Sequence, residues 1–182
     1  MPVPGDNMSR SHYKQGFTLL ELVIVIALLA ILAVMALPRM LNNYDDAHFS
    51  SVSATGGAFS TAVMLVRTQW VASGAKAEVD AVKSFGRGDV ATTSSGWPSD
   101  AQQGSASLHS PLLAGDTGRC VRLWQSLLAT HGLEVSTLSG EGVTYVASIN
   151  DNSTCRYTYQ SGNSNSRIEY NLSSGEVHTI LQ

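Results

Sequence analysis

Glu21 is the one ionisable side chain in a run from Phe17 to Leu37 that is otherwise apolar except for Thr18. A carboxylate inside a transmembrane helix costs about 2.5–3.5 kcal/mol on insertion scales, so it needs a partner. Two solutions are open to it. It can lie near enough to one end of the helix to reach headgroups and water, or it can neutralise a cation at membrane depth. Gly16 stands just before the run, where a small residue leaves the backbone open to a processing enzyme, and cleavage between Gly16 and Phe17 creates such a cation in the new α-amine of Phe17. At about 4 Å and an effective dielectric near 20, that amine and Glu21 of an adjacent copy attract by roughly 4 kcal/mol before desolvation. This is enough to fix axial register between packed helices.

The second chemical pair is Cys120 and Cys155. What they do depends on which side of a membrane they occupy. The apolar run spans roughly 30 Å as a helix, the thickness of a bilayer's hydrocarbon core. Arg10 and Lys14 flank its N-terminal side with only Asp6 to oppose them, and cationic flanks stay cytoplasmic. Residues 39–182 are therefore expected outside, where thiols oxidise. A Cys120–Cys155 disulfide would tie a helix to a strand, and closing a loop of that length is worth roughly 3.8 kcal/mol in the chain-entropy treatment. A metal site needs more ligands at close spacing than accompany these two.

A secretory signal peptide would have a shorter apolar region, about 7–15 residues, followed by a small-residue A-x-A site, which is absent here. The processing site lies before the run instead, so the helix is kept. Met1–Gly16 reads as a cytoplasmic leader, with Met8 as a second possible start.

Among 182 residues 14 % are charged, and loss of 1–16 leaves nine basic against 13 acidic residues, a formal −4. That balance leaves no basic footprint for nucleic acid. The chain has no Gly-x-Ser-x-Gly elbow, no phosphate-binding Gly-x-x-x-x-Gly-Lys run and no His-Glu-x-x-His, and its five His are scattered singly. No enzyme and no cofactor are expected. Arg87-Gly88-Asp89 spells a tripeptide associated with cell adhesion, but three residues match too easily by chance. The triplets Asn152-Ser153-Thr154 and Asn171-Leu172-Ser173 read as loop and strand.

The elements that must position these groups follow from periodicity. Pro38 is expected to kink or break the helix. Beyond it Val52, Phe59, Val63, Val66 and Trp70 form one helical stripe, which predicts a single long helix over about 17–73, capped by Gly74. Gly56 and Gly57 mark either a close approach of another backbone or a flexible joint; the reading adopted is close packing. Residues 75–118 read as a long surface connection with short elements near Val79–Phe85, its Trp97-Pro98 ring anchoring it to the core. A second helix is expected from Asp116 or Thr117, with Cys120, Trp124, Leu127, Leu128 and His131 on one side and Gly132 as its stop. His131 reads as a favourable charge in the last turn. Alternation at Val143–Ile149, Cys155–Tyr159, Ile168–Leu172 and Val177–Leu181 predicts an antiparallel sheet covering the outer half of the long helix.

Lys14-Gln15-Gly16-Phe17-Thr18-Leu19-Leu20-Glu21 resembles the class III signal of type IV prepilins and pseudopilins. The resemblance implies an α+β type IV pilin fold, a long N-terminal helix packed on an antiparallel head. It divides the chain into leader 1–16, transmembrane half-helix 17–37, amphipathic half-helix 38–74 and head 75–182. It also implies cleavage by a prepilin peptidase between Gly16 and Phe17, N-methylation of Phe17, and a role for Glu21 in filament assembly. The implied partners are other pilin subunits, the peptidase, the inner-membrane assembly machinery and the membrane. Arg67–Trp70, Trp97-Pro98, Cys120 with Leu123-Trp124 and Leu127-Leu128, and Cys155-Arg156-Tyr157-Thr158-Tyr159 are similar to pilins of the mannose-sensitive haemagglutinin (MSHA) type, particularly a minor one. The expected function is a structural subunit of an adhesive type IV pilus, first in the inner membrane and then extracellular. The alternatives are a pseudopilin of type II secretion and a fixed single-span protein whose head binds a ligand.

Overall fold

The computed structural model describes residues 17–101, 116–128, 133–151, 153–161 and 165–182. The chain divides into two compact units, Met1–Asn43 and Tyr44–Gln182. Helix α1 (Leu19–Ala72) has residues in both, and it passes Pro38 without ending, so the break allowed for there does not occur. In the first unit the side chains from Phe17 to Ala36 are all exposed.

In the second unit one stripe of α1 is buried. Val52, Phe59, Ala62, Val63 and Val66 belong to the core, while Trp70, expected on the same stripe, is only partly buried and donates its indole N–H to the Ala77 carbonyl at 3.0 Å. The stripe faces aromatic rings: Phe59 lies 5.8, 5.4 and 5.5 Å from Trp124, Tyr157 and Tyr170, centroid to centroid. Aromatic side chains carry most of such a core because each buries about 150–250 Å².

The five-stranded sheet has the order β3 (Val135–Ser136), β4 (Tyr145–Asn150), β5 (Thr154–Tyr159), β6 (Arg167–Asn171), β7 (Val177–Ile180), preceded in the chain by a two-stranded sheet, β1 (Val90–Thr92) with β2 (Pro98–Ala101). Pairing is antiparallel from β4 to β7, and β3 adds itself in parallel to β4. The sheet is therefore mixed at one edge. Alternation sends Cys155, Tyr157 and Tyr159 of β5 and Ile168 and Tyr170 of β6 inward. The other face of the same rungs carries Arg156 opposite Glu169, bonded at 2.9 Å.

The segment expected to be a surface connection is folded into the core. Val82, Val90, Ala91, Thr92 and Ala101 are buried, and Val79 bridges to Thr92. The Trp97 ring does anchor this segment, lying under the Arg67 guanidinium at 4.0 Å and against the turn at Gly175. Two buried tyrosines satisfy their hydroxyls on neighbouring backbone: Tyr170 donates to the Pro98 carbonyl and Tyr157 to the Cys120 carbonyl, both at 2.8 Å. Helix α2 (Thr117–Leu127) starts at Asp116, whose carboxylate accepts from the Gly118 N–H, and it ends at Leu127, well before Gly132. His131 and Gly132 lie outside the described residues. Arg122 clamps α2 to β2 with a two-pronged bond to Asp100 at 2.9 and 2.9 Å and a third bond to Asp116 at 2.9 Å. Such charge-assisted, bidentate bonds are roughly twice as strong as neutral ones.

Candidate assembly site at the N-terminal helix

The window Leu19–Ala36, Glu21 included, has a mean hydropathy of 3.0, and none of it is buried within the chain. An apolar surface of this size, about 27 Å long at helical rise, requires lipid or other helices around it. The window over Asp46–Ala72 is also long and apolar, at 1.3, but 39 % of it is buried in the second unit.

Local structure at the start of this helix is set by Thr18 and Glu21. The Glu21 backbone N–H donates to Thr18 Oγ1 at 3.2 Å, and the Leu22 N–H donates to the Thr18 carbonyl at 3.2 Å. Thr18 is thus the N-cap and Glu21 the third helical residue, which makes the Thr18 half of a capping box. The role of Thr18 was missed in the sequence, although Thr-x-x-Glu before an apolar run is its signature. Glu21 also stands in the first turn, where the helix dipole favours negative charge. Among the described residues its carboxylate has no hydrogen-bond or ion-pair partner within the chain. Phe17 is 83 % exposed beside it. Gly16, Lys14, Arg10 and the Met8 start lie outside the described residues.

The remaining site candidates fall in the second unit. Cys120 of α2 and Cys155 of β5 are joined in a disulfide, with Cα atoms 5.5 Å apart, and both are fully buried. The Arg87-Gly88-Asp89 triplet is closed on itself: Arg87 pairs with Asp89 at 3.1 Å, and the same Asp89 oxygen accepts from Ser126 Oγ at 3.1 Å. Asn171 Oδ1 is engaged by the Ser173 and Ser174 N–H groups in the β6–β7 turn. Among the described residues no group of three or more His, Cys, Asp or Glu is placed to hold a metal.

Residues 11–37 match the family described as the prokaryotic N-terminal methylation motif. The type IV narrow pilus major component PilA5 of Thermus thermophilus is 40 % identical over 55 residues, which are 30 % of this chain and 47 % of that protein. The chain thus spans about half the length of the relative it matches. No solved structure matches the chain significantly. The segment that carries Phe17 and Glu21 is type IV pilin-like, with an apolar helix suited to a membrane.

Proposed function

We propose that the chain is a pilin-like structural subunit that is held in the inner membrane by α1, cut after Gly16, N-methylated at Phe17 and assembled into a type IV filament. The observation that carries this is the exposed apolar helix Leu19–Ala36 with one carboxylate, Glu21, that has no partner among the described residues of its own chain. Packed beside copies of itself or of related subunits, that helix buries its apolar surface. Glu21 then meets the Phe17 amine of a neighbour, which removes the cost of a lone charge in lipid. The head remains on the periplasmic side, consistent with an oxidised Cys120–Cys155 pair.

At finer grain the proposal is a minor subunit of an adhesive pilus of the MSHA type. Its support is the run Cys155-Arg156-Tyr157-Thr158-Tyr159 on β5 and the Trp97-Pro98 anchor. The competing pseudopilin reading shares the helix and the signal. Shearing cells that lack a type II secretion apparatus separates the two. The chain in the sheared filament fraction supports the pilin, and its confinement to membranes supports the pseudopilin.

A further inference from the structure

A file of aromatic rings leads from the middle of the core to the surface. Trp124, 1 % exposed, lies 4.7 Å from Tyr145, which lies 5.3 Å from Tyr159, centroid to centroid. Tyr159 is 5.6 Å from the His48 ring, and His48 meets Tyr44 edge-on at 4.5 Å. Tyr44 is 63 % exposed. The inner end also touches the disulfide region, because Trp124 is 4.7 Å from Tyr157 and Tyr157 donates to the Cys120 carbonyl.

Rings this close exchange an electron vacancy readily, and the vacancy settles where losing an electron can be coupled to losing a proton. The hydroxyls along the file differ in this respect. Tyr157 and Tyr170 donate to backbone carbonyls, which do not take up a proton. Trp124 Nε1 is buried with no hydrogen-bond partner among the described residues, and the buried Tyr145 hydroxyl faces the Thr55 hydroxyl, which is no base and is itself bonded to the Ser51 carbonyl. Tyr159 is different, since its hydroxyl stands 2.8 Å from His48 Nδ1. An imidazole is a base of the right strength to accept a phenol proton as the ring is oxidised.

We propose that Tyr159 and His48 form a redox-active pair at which one-electron oxidation of the head by a peroxide-derived radical comes to rest, sparing Trp124 and the Cys120–Cys155 disulfide. The electron leaves the Tyr159 ring for the oxidant. Its O–H bond breaks, the proton forms a new N–H bond at His48 Nδ1, and a neutral tyrosyl radical with an imidazolium results. This requires the resting proton of His48 at Nε2, which is buried with no hydrogen-bond partner among the described residues, so that Nδ1 is the acceptor.

The test uses the full chain in lipid nanodiscs with photogenerated tris-bipyridine ruthenium(III) as the one-electron oxidant, read by electron paramagnetic resonance and peptide mass spectrometry. Wild type should form a tyrosyl radical more slowly in D2O than in H2O, with little oxidised Trp124. Tyr159→Phe, which keeps the ring and removes the phenol, should lose that radical and raise oxidised Trp124 several-fold. His48→Phe, which keeps an aromatic ring and removes the base, should slow radical formation several-fold. Each variant is compared after its disulfide and near-ultraviolet circular dichroism match wild type; if either variant fails to fold, the isotope effect on wild type decides. Radical yield and Trp124 damage unchanged in both variants, or wild-type formation equally fast in D2O, would overturn the proposal.

Discussion

Thr179 on β7 fills the space beside Gly56 of α1: a Cβ at Gly56 would collide with its Oγ1 and stand 3.2 Å from its Cβ and 3.3 Å from its Cγ2. Gly57, one residue on, has nothing within 4 Å. The two glycines therefore do different things. Gly56 lets the strand approach the helix, and Gly57 only weakens the helix.

Replacing each in turn separates these roles. Gly57→Ala should stabilise the second unit by up to about 1 kcal/mol through helix propensity. Gly56→Ala should be less stable than Gly57→Ala by about 1–3 kcal/mol, because rotating the Thr179 hydroxyl away still leaves its Cβ or methyl too close. Urea unfolding followed by tryptophan fluorescence measures both, and equal midpoints would contradict the close approach.

How much of this was legible in the sequence varies with the length of the pattern. The stripe at Val52, Phe59, Val63 and Val66 runs over four turns of α1, and the alternating strands β4 to β7 run over four to six residues, so their periods were readable. The β1–β2 hairpin was not readable, because strands of three and four residues joined through a register shift at Ala91/Thr92 carry no measurable period. The parallel edge strand β3 has two residues, and its placement depends on tertiary packing. At the candidate assembly site Glu21 and Phe17 stood out by type alone. Thr18 was legible only through its spacing to Glu21, since its role is to accept a backbone hydrogen bond.

The disulfide should be a main support of the second unit. Cys120→Ser is expected to lower its stability by about 2–5 kcal/mol, as removal of a native disulfide does in small exported domains. Limited proteolysis of the mutant should then cut within 75–182, and two free thiols titrated in the native wild type would contradict the bond.

Acid should weaken the second unit through two carboxylates. Glu169 accepts from Arg167 and Arg156, both at 2.9 Å; the Arg167 hydrogen bond foremost, with Arg156 behind it, outweighs burial and holds its carboxyl below the ordinary value. The Arg122 hydrogen bond does the same for Asp116. With folded values depressed, this stabilisation is complete above the unfolded pKa of about 4 and is lost as pH falls through the folded values. Urea midpoints measured from about pH 6 down to about pH 3 should fall steeply below about pH 4 in wild type and less steeply in a Glu169→Gln, Asp116→Asn double variant. Parallel curves would show that these pairs do not couple to folding.

Glu21→Gln separates assembly from processing. Glutamine keeps the shape and removes the charge, so insertion and cleavage after Gly16 should proceed as in wild type. The chain's own abundance in purified filaments should drop several-fold while its membrane level holds, because the amine of a neighbouring Phe17 has lost its partner. Incorporation at the wild-type level would mean that this carboxylate does not set register.

If processing falls after Gly16, the apolar helix is kept and the mature chain begins at Phe17. The most direct measurement is the mass of the N-terminal peptide of the chain recovered from sheared filaments, with Gly16→Val as the processing control. The expected result is a peptide starting at Phe17 and carrying one methyl group, with the mutant accumulating as a longer form confined to membranes. A chain that retains residues before Gly16, or one cut beyond Ala36 so that the helix is absent, would contradict the account.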